Sequence, residues 1–293
     1  MLVSVIIRTL NEEKYLEELL SNIFNQKLSN FKIEVVLIDS GSNDNTIKIA
    51  ESYDVRITNI NKRDFSFGRS LNQGCIFSKG EILVFISGHC VPVNNFWLSE
   101  LIKPLIEEKA DYVYGRQQGR DTTKFSENQL FNQLFPPNKK TFNGEFCNNA
   151  NAAITRQSWS KFKFDEDLTG LEDLDMGLKI TKNGGIVFYT PEASVFHIHD
   201  ENWSQIFKRY ERESIALKKI YPNFSFSIRN LISSTIKYIF KDLKASLKDK
   251  IFIKELKNII FYRFVQFFAI YRGQYNVTST EEKKEKFFYN KIN

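Results

Sequence analysis

The chain of 293 residues is 42% hydrophobic and 26% charged, values of a folded protein with a sizeable core that exclude a disordered chain. The formal net charge is +6, and its excess lies in the tail: residues 223–293 hold 14 Lys and Arg against 6 Asp and Glu. Three widely spaced cysteines, Cys75, Cys90 and Cys147, exclude a disulfide framework or a cysteine zinc site and suit a reducing compartment.

Residues 2–7 form a short apolar run of β-formers, as expected of a strand buried on both faces. Arg8, Thr9, Asn11 and Glu12 follow at its carboxyl end, and a helix then carries Leu16, Leu19, Leu20 and Ile23 on one face. A second strand, 33–38, runs into the polar loop 39–46, whose first residue is Asp39, and a helix continues through Tyr53. A weak third strand is expected at 55–58, a third helix after the segment 65–74, and a fourth strand at 82–86 closed by Ser87-Gly88-His89. Strand alternating with helix predicts an α/β fold, a mostly parallel, doubly wound sheet with helices on both faces. Ligands of such sheets bind beyond the carboxyl ends of the strands, where Asn11, Asp39 and the Ser87–His89 turn fall. Asp39 can accept from a base N–H or a ribose hydroxyl; it can equally cap the turn that follows it. No glycine-rich dinucleotide or P-loop motif occurs.

The second half changes character. A helix is expected at 96–107 and a strand at 112–114. Residues 115–144 are polar without a clean period and read as a long loop that shapes the acceptor side. The small, polar run 147–154 precedes a short helix from 156. Further strands are expected at 186–189 and 194–197. His197 and His199 alternate and so share a face.

Gly170-Leu171-Glu172-Asp173-Leu174-Asp175 packs three carboxylates into four residues at the start of a helix. Leu171, Leu174 and Leu178 give that helix a buried face, and Thr169 with Glu172 fits a capping box. A capping box accounts for Glu172 but not for Asp173. A carboxylate there can take a proton from an incoming hydroxyl, with the helix N-terminus expected to lower its pKa.

Together these segments resemble a family 2 glycosyltransferase of the GT-A fold, closest to its bacterial rhamnosyltransferase-like members. Residues 3–13 resemble the first strand and donor-binding turn, and 38–46 the second, whose first Asp contacts the base. Residues 65–74, with Arg69 and Asn72, resemble a segment of the rhamnosyltransferase-like members, and Tyr271-Arg272-Gly273 a C-terminal feature of theirs. Residues 170–175 resemble the acceptor-side motif whose second carboxylate is the catalytic base. The resemblance implies Asp173 and Glu172 as catalytic residues. It implies Thr9, Asn11, Glu12, Asp39, Arg69, Asn72, Ser87 and His89 as donor-binding. It further implies an inverting transfer from a UDP- or dTDP-sugar to a hydroxyl of a bacterial surface glycan such as O-antigen or capsule.

One departure matters. The family's Asp-x-Asp, which holds a divalent cation on the donor diphosphate, reads Ser87-Gly88-His89 here. A lone imidazole binds Mn and hardly Mg, so His89, joined at most by His197 or His199, implies weak or absent metal dependence. The same loss leaves open a catalytically inactive GT-A module that binds or scaffolds. A sugar-nucleotide pyrophosphorylase is a lesser alternative, since the loop after the first strand is not the glycine-rich one it needs. Residues 1–222 are expected to form the GT-A domain and 223–293 a basic, aromatic-rich helical extension. That extension either packs on the domain or lies on an anionic membrane, with a lipid-linked glycan as acceptor. No motif for reading nucleic acid accompanies the charge. The start lacks the pattern of a signal peptide and no apolar run reaches eighteen residues, so the expected location is the cytoplasm, including the inner face of the cytoplasmic membrane.

Overall fold

The computed structural model describes residues 1–28, 30–138, 141–142, 144–275 and 287. Its first half alternates as expected: β1 (Leu2–Thr9), α1 (Glu13–Phe24), β2 (Lys32–Asp39), α2 (Thr46–Glu51), β3 (Val55–Asn59), α3 (Phe67–Phe77) and β4 (Ile82–Ser87). The four strands are parallel in the order β3-β2-β1-β4. Register sets Thr9 beside Asp39 and Arg8 beside Ser87, so their carboxyl ends form one polar edge. Val3, Val5 and Ile7 pack with α1 on one face, while Ile6 packs with α3 on the other. Burial on both faces is why these strands are unbroken apolar runs.

Beyond β4 come β5 (Cys90–Pro92), α4 (Trp97–Ile106), β6 (Tyr112–Gln118), α5 (Phe125–Leu134), β7 (Thr141–Phe142), β8 (Asn151–Thr155), α6 (Arg156–Phe162), α7 (Glu172–Lys182) and β9 (Val187–His197). The sheet continues β4-β8-β6-β9-β5, with β7 on β9. Here it is mixed: β8 runs antiparallel to both β4 and β6, while β6 and β9 are parallel.

Four expectations change. The third helix begins inside the 65–74 segment, at Phe67, because the Ser66 hydroxyl accepts the Arg69 N–H at 3.1 Å and caps it. The stretch 115–144 is not one loop but holds the end of β6, then α5 and β7. The two strands expected at 186–189 and 194–197 are one, β9. Helix α7 starts from Leu171, in the left-handed region at φ 57°, and Thr169 spends its hydroxyl on the Arg212 carbonyl; there is no capping box.

After β9, α8 (Trp203–Ile220), α9 (Ile228–Lys248) and α10 (Phe252–Gln274) pack against the body. Ile206 and Tyr210 of α8 meet Tyr262, Val265 and Ala269 of α10, with Leu130 of α5 beside them. The buried Arg263 holds three helices together. It donates to both Asp242 carboxylate oxygens of α9 at 2.7 and 3.0 Å, and to the Ser126 carbonyl of α5 at 2.9 Å. Of the expected extension 223–293, residues 276–286 and 288–293 lie outside the described residues.

Candidate active site

Helix α7 does not bury its leucines. Leu171, Leu174 and Leu178 are half-buried, and the face turned inward is Glu172, Asp173, Met176, Gly177 and Ile180. Two causes are visible. The left-handed Leu171 sets the direction in which the helix starts. Gly177 lets it press on the 145–149 segment, since a β-carbon there would lie 2.0 Å from the Glu145 carbonyl oxygen.

Asp173 is therefore fixed in a buried position. Its Oδ2 accepts the Asn149 backbone N–H at 2.9 Å and its Oδ1 the Leu174 N–H at 2.8 Å. Glu172 Oε1 accepts the Asn149 side-chain amide at 3.4 Å and lies 3.7 Å from an Arg8 guanidinium nitrogen. The Asn149 oxygen is held in turn by the Tyr112 hydroxyl at 2.5 Å. Burial, with the Glu172 charge adding to it, pushes the Asp173 carboxyl up to about 7. The expected lowering at a helix N-terminus is overturned: the backbone N–H bonds do pull the value down, but burial outweighs them. A carboxyl poised near neutrality, rather than fully ionised, suits a general base.

At the strand edge, Thr9 donates to Asp39 at 3.1 Å. Asp39 also accepts the Ser42 hydroxyl at 2.5 Å and the Gly41 and Ser42 backbone N–H groups at 2.8 Å each. Asp39 thus organises the turn after β2, the structural role open to it from the sequence. Asn11, at φ 56°, accepts the Asn43 N–H on its side-chain oxygen and donates its own N–H to the Ser42 hydroxyl oxygen, so it stitches the β1 and β2 loops together. Arg8 reaches over the Phe67 ring at 4.8 Å, and Arg212 over the same ring at 4.6 Å. Arg8 Nη1 and Arg212 Nε are buried without a hydrogen bond among the described residues, leaving cationic donors beside the Glu172–Asp173 pair.

Arg69 and Asn72 serve a different purpose. Asn72 is buried; its amide donates to the Phe164 carbonyl and Glu166, and its oxygen accepts from Trp159 and the Phe164 N–H. Arg69 donates to Glu166 at 2.9 Å and to the Asp64 carbonyl at 3.0 Å. Both side chains hold the 164–166 segment against α3.

All three histidines of the chain meet in one place. The His197 and His199 ring centroids are 4.1 Å apart, and that of His89 lies 5.2 and 5.9 Å from them. The turn that delivers His89 needs Gly88, where a β-carbon would come within 2.8 Å of the Glu12 side chain. Glu12 takes His89 Nδ1 at 2.8 Å, Gln117 takes His197 Nδ1 at 2.7 Å, and Glu127 takes His199 Nδ1 at 2.7 Å. Burial drives the buried His197 well below its ordinary value, so its ring is neutral. Burial alone would raise the Glu127 carboxyl, but Arg209 and His199 outweigh it and hold it at about 2. Asn149, Gln117, Glu127, Arg209 and Arg212 escaped the sequence reading, because no spacing ties them to the residues they serve.

The family model described as glycosyl transferase family 2 matches residues 4–168. The O-antigen chain rhamnosyltransferase WbaN of Salmonella anatum is 27% identical over 204 residues, 63% of this chain and 62% of its own length. The corresponding RfbN of Salmonella typhimurium is 24% identical over 223 residues, 72% and 70% of the two chains. The match to WbaN thus spans less than two thirds of that relative. Among solved structures, the mannosyltransferase PcManGT of Pyrobaculum calidifontis, in complex with GDP-Man and Mn2+, superposes with a TM-score of 0.65 at 18% identity over 92% of this chain and 85% of that one. Residues 1–349 of Staphylococcus aureus TarS, in complex with UDP-GlcNAc, give 0.54 at 16% identity, over 98% and 92%. These superpositions establish the fold as GT-A.

Proposed function

Because the chain belongs to glycosyl transferase family 2, we propose that it moves a sugar from a nucleotide-diphosphate donor to a hydroxyl of a bacterial surface glycan, with inversion. The observation that carries this reading is the Glu172–Asp173 pair, buried beside Arg8 of the strand edge, with Asp173 poised near neutral pH. Direct displacement needs a base for the attacking hydroxyl and positive charge for the departing diphosphate. Asp173 takes the hydroxyl proton. Asn149 fixes that carboxylate through its backbone and Glu172 through its side chain. Arg8 and Arg212 offer guanidinium donors toward anionic oxygens. Thr9, Asn11 and Asp39 shape the turns that receive the nucleotide, Ser87 lines the same edge, and Arg69 and Asn72 act at one remove by holding 164–166.

The donor is a UDP- or dTDP-sugar in this reading. A GDP-sugar is the competing class, since PcManGT was solved with one. A glycan of the O-antigen kind as acceptor is supported by likeness to WbaN and RfbN. A divalent cation, when bound, would neutralise diphosphate charge; the three histidines would hold it, since the lost Asp-x-Asp is not replaced by other carboxylates at its own position. The basic helices α9 and α10 face an anionic membrane where a lipid-linked acceptor would be met. Thermal-shift measurement against nucleoside diphosphates tests the reading, since ligand binding to the native state raises its apparent stability. UDP or dTDP should raise the Tm and the parent nucleosides should not. No response to any nucleoside diphosphate, with or without Mn2+, would contradict it.

A further inference from the structure

We propose that His89, His197 and His199 form an all-nitrogen metal centre that selects borderline transition-metal ions over Mg2+. The candidate ligand atoms of the three lie within 4.8 Å of one another. They come from two elements brought together by the sheet: His89 from the turn after β4, and His197 and His199 from the end of β9 and just beyond it. Pairing of Cys90 with His197 in the β5–β9 ladder fixes their relative position.

The second layer assigns the protons. The Ala150 backbone N–H, which can only donate, bonds to Asn148 Oδ1 at 3.0 Å. That identifies the Asn148 oxygen, so the Gln117 group meeting it at 3.0 Å must be the amide nitrogen. The Gln117 oxygen therefore faces His197, and His197 Nδ1 carries the hydrogen. His199 Nδ1 faces the Glu127 carboxylate and His89 Nδ1 the Glu12 carboxylate, both acceptors. With Nδ1–H directed at its acceptor, each imidazole has Nε2 as the nitrogen whose lone pair can ligate. Imidazoles oriented by an acceptor on the opposite nitrogen are the usual arrangement around a bound metal.

Charge and chemistry agree. Glu12, Glu127 and Glu201 outnumber Arg209 around the cluster, which favours a dication. Glu127, His199 and Glu201 also lie close enough to ligate, but Arg209 already bonds both carboxylates, at 2.6 and 2.7 Å, and occupies that place. Three nitrogens suit Mn2+, Co2+ and Zn2+, with affinity rising in that order of series, whereas Mg2+ demands oxygen and keeps its waters. The weak metal dependence expected from the sequence rested on His89 joined at most by His197 or His199; all three together make a different site.

The inference rests on the donor-site reading only for what the ion would do, not for whether it binds. Co2+ titration of the purified full chain, followed by visible absorption, tests it directly. Co2+ should give saturable ligand-field bands that Zn2+ abolishes and an equal concentration of Mg2+ leaves intact. His89→Ala should abolish the bands, and Gln117→Leu should weaken Co2+ binding by about 10–100-fold, with folding checked by circular dichroism. Asp173→Asn should bind Co2+ as wild type does, so failure of the transfer reading would leave this result standing. Absence of saturable bands, displacement by Mg2+ as effective as by Zn2+, or unaltered bands in His89→Ala would each overturn the proposal.

Discussion

Asp173 is held in a state that costs the fold something. Its carboxyl is raised to about 7 by burial and by Glu172, against an unfolded value near 4. Below about pH 4 both states keep the proton. Between there and about 7 the unfolded chain releases it and the native chain does not, so stability falls as pH rises and levels off above 7. Asp173→Asn removes this dependence. The variant also loses an acceptor for one backbone N–H, a penalty that does not change with pH. The difference in Tm between variant and wild type should therefore move in the variant's favour from pH 4 to pH 7. A flat difference across that range, measured by differential scanning fluorimetry, would mean that Asp173 is not raised. The same titration should appear in catalysis, with transfer rising as pH passes through about 7, where the base gains its charge.

At the scale of elements, legibility followed the hydrophobic pattern. β1, β2, β4, α1 and α4 announced themselves because apolar side chains fill both faces of the sheet. Helix α5 did not, because its buried positions are Ser126, Glu127 and Phe131; it is held by Arg209, His199 and Arg263 rather than by a greasy stripe. Helix α7 was found but read half a turn off. Three leucines at helical spacing looked like its inner face, whereas buried carboxylates supplied by Arg8 and Asn149 form it instead. A periodicity argument counts a carboxylate as exposed, and at a site that assumption fails. The motif residues Asp39, Asp173 and His89 could be picked from sequence; the partners that tune them are distant in the chain and could not. In the tail, Arg263 counted toward a basic surface but is a buried clamp. Asp242→Ala should leave its guanidinium unpaired by a carboxylate and cost about 3–5 kcal/mol. Denaturant unfolding measures this. A loss below about 1 kcal/mol would show that α9 and α10 are not locked as described.

For the whole molecule, the tail presents a face that the body does not cover. Ile228, Ile232, Ile236, Phe240 and Leu247 of α9 are all at least half exposed, Phe240 at 68%, and Ile253 at the start of α10 is 90% exposed. Lys237, Lys241, Lys244 and Lys248 are exposed on the same helix. No described helix is long and apolar enough to cross a membrane. An apolar stripe bordered by lysines fits a helix lying in the interface of an anionic bilayer, each lysine there worth about 1 kcal/mol. Vesicles containing phosphatidylglycerol should sediment with the protein at low salt, and Phe240→Asp with Ile232→Asp should abolish this without lowering Tm. Equal binding to neutral vesicles, or none to either, would contradict the membrane reading.

If the buried, neutral-poised carboxylate on α7 is the base of a sugar transfer from a nucleotide-diphosphate donor, its removal slows the chemistry and spares donor binding. The most direct test is the initial rate of nucleoside diphosphate release at saturating donor and acceptor, for wild type and Asp173→Asn at pH 8. A rate lowered by about 10²–10⁴-fold, with donor binding retained by calorimetry, is the predicted result. Turnover of the variant near that of wild type would rule Asp173 out as the base and move that role to another group.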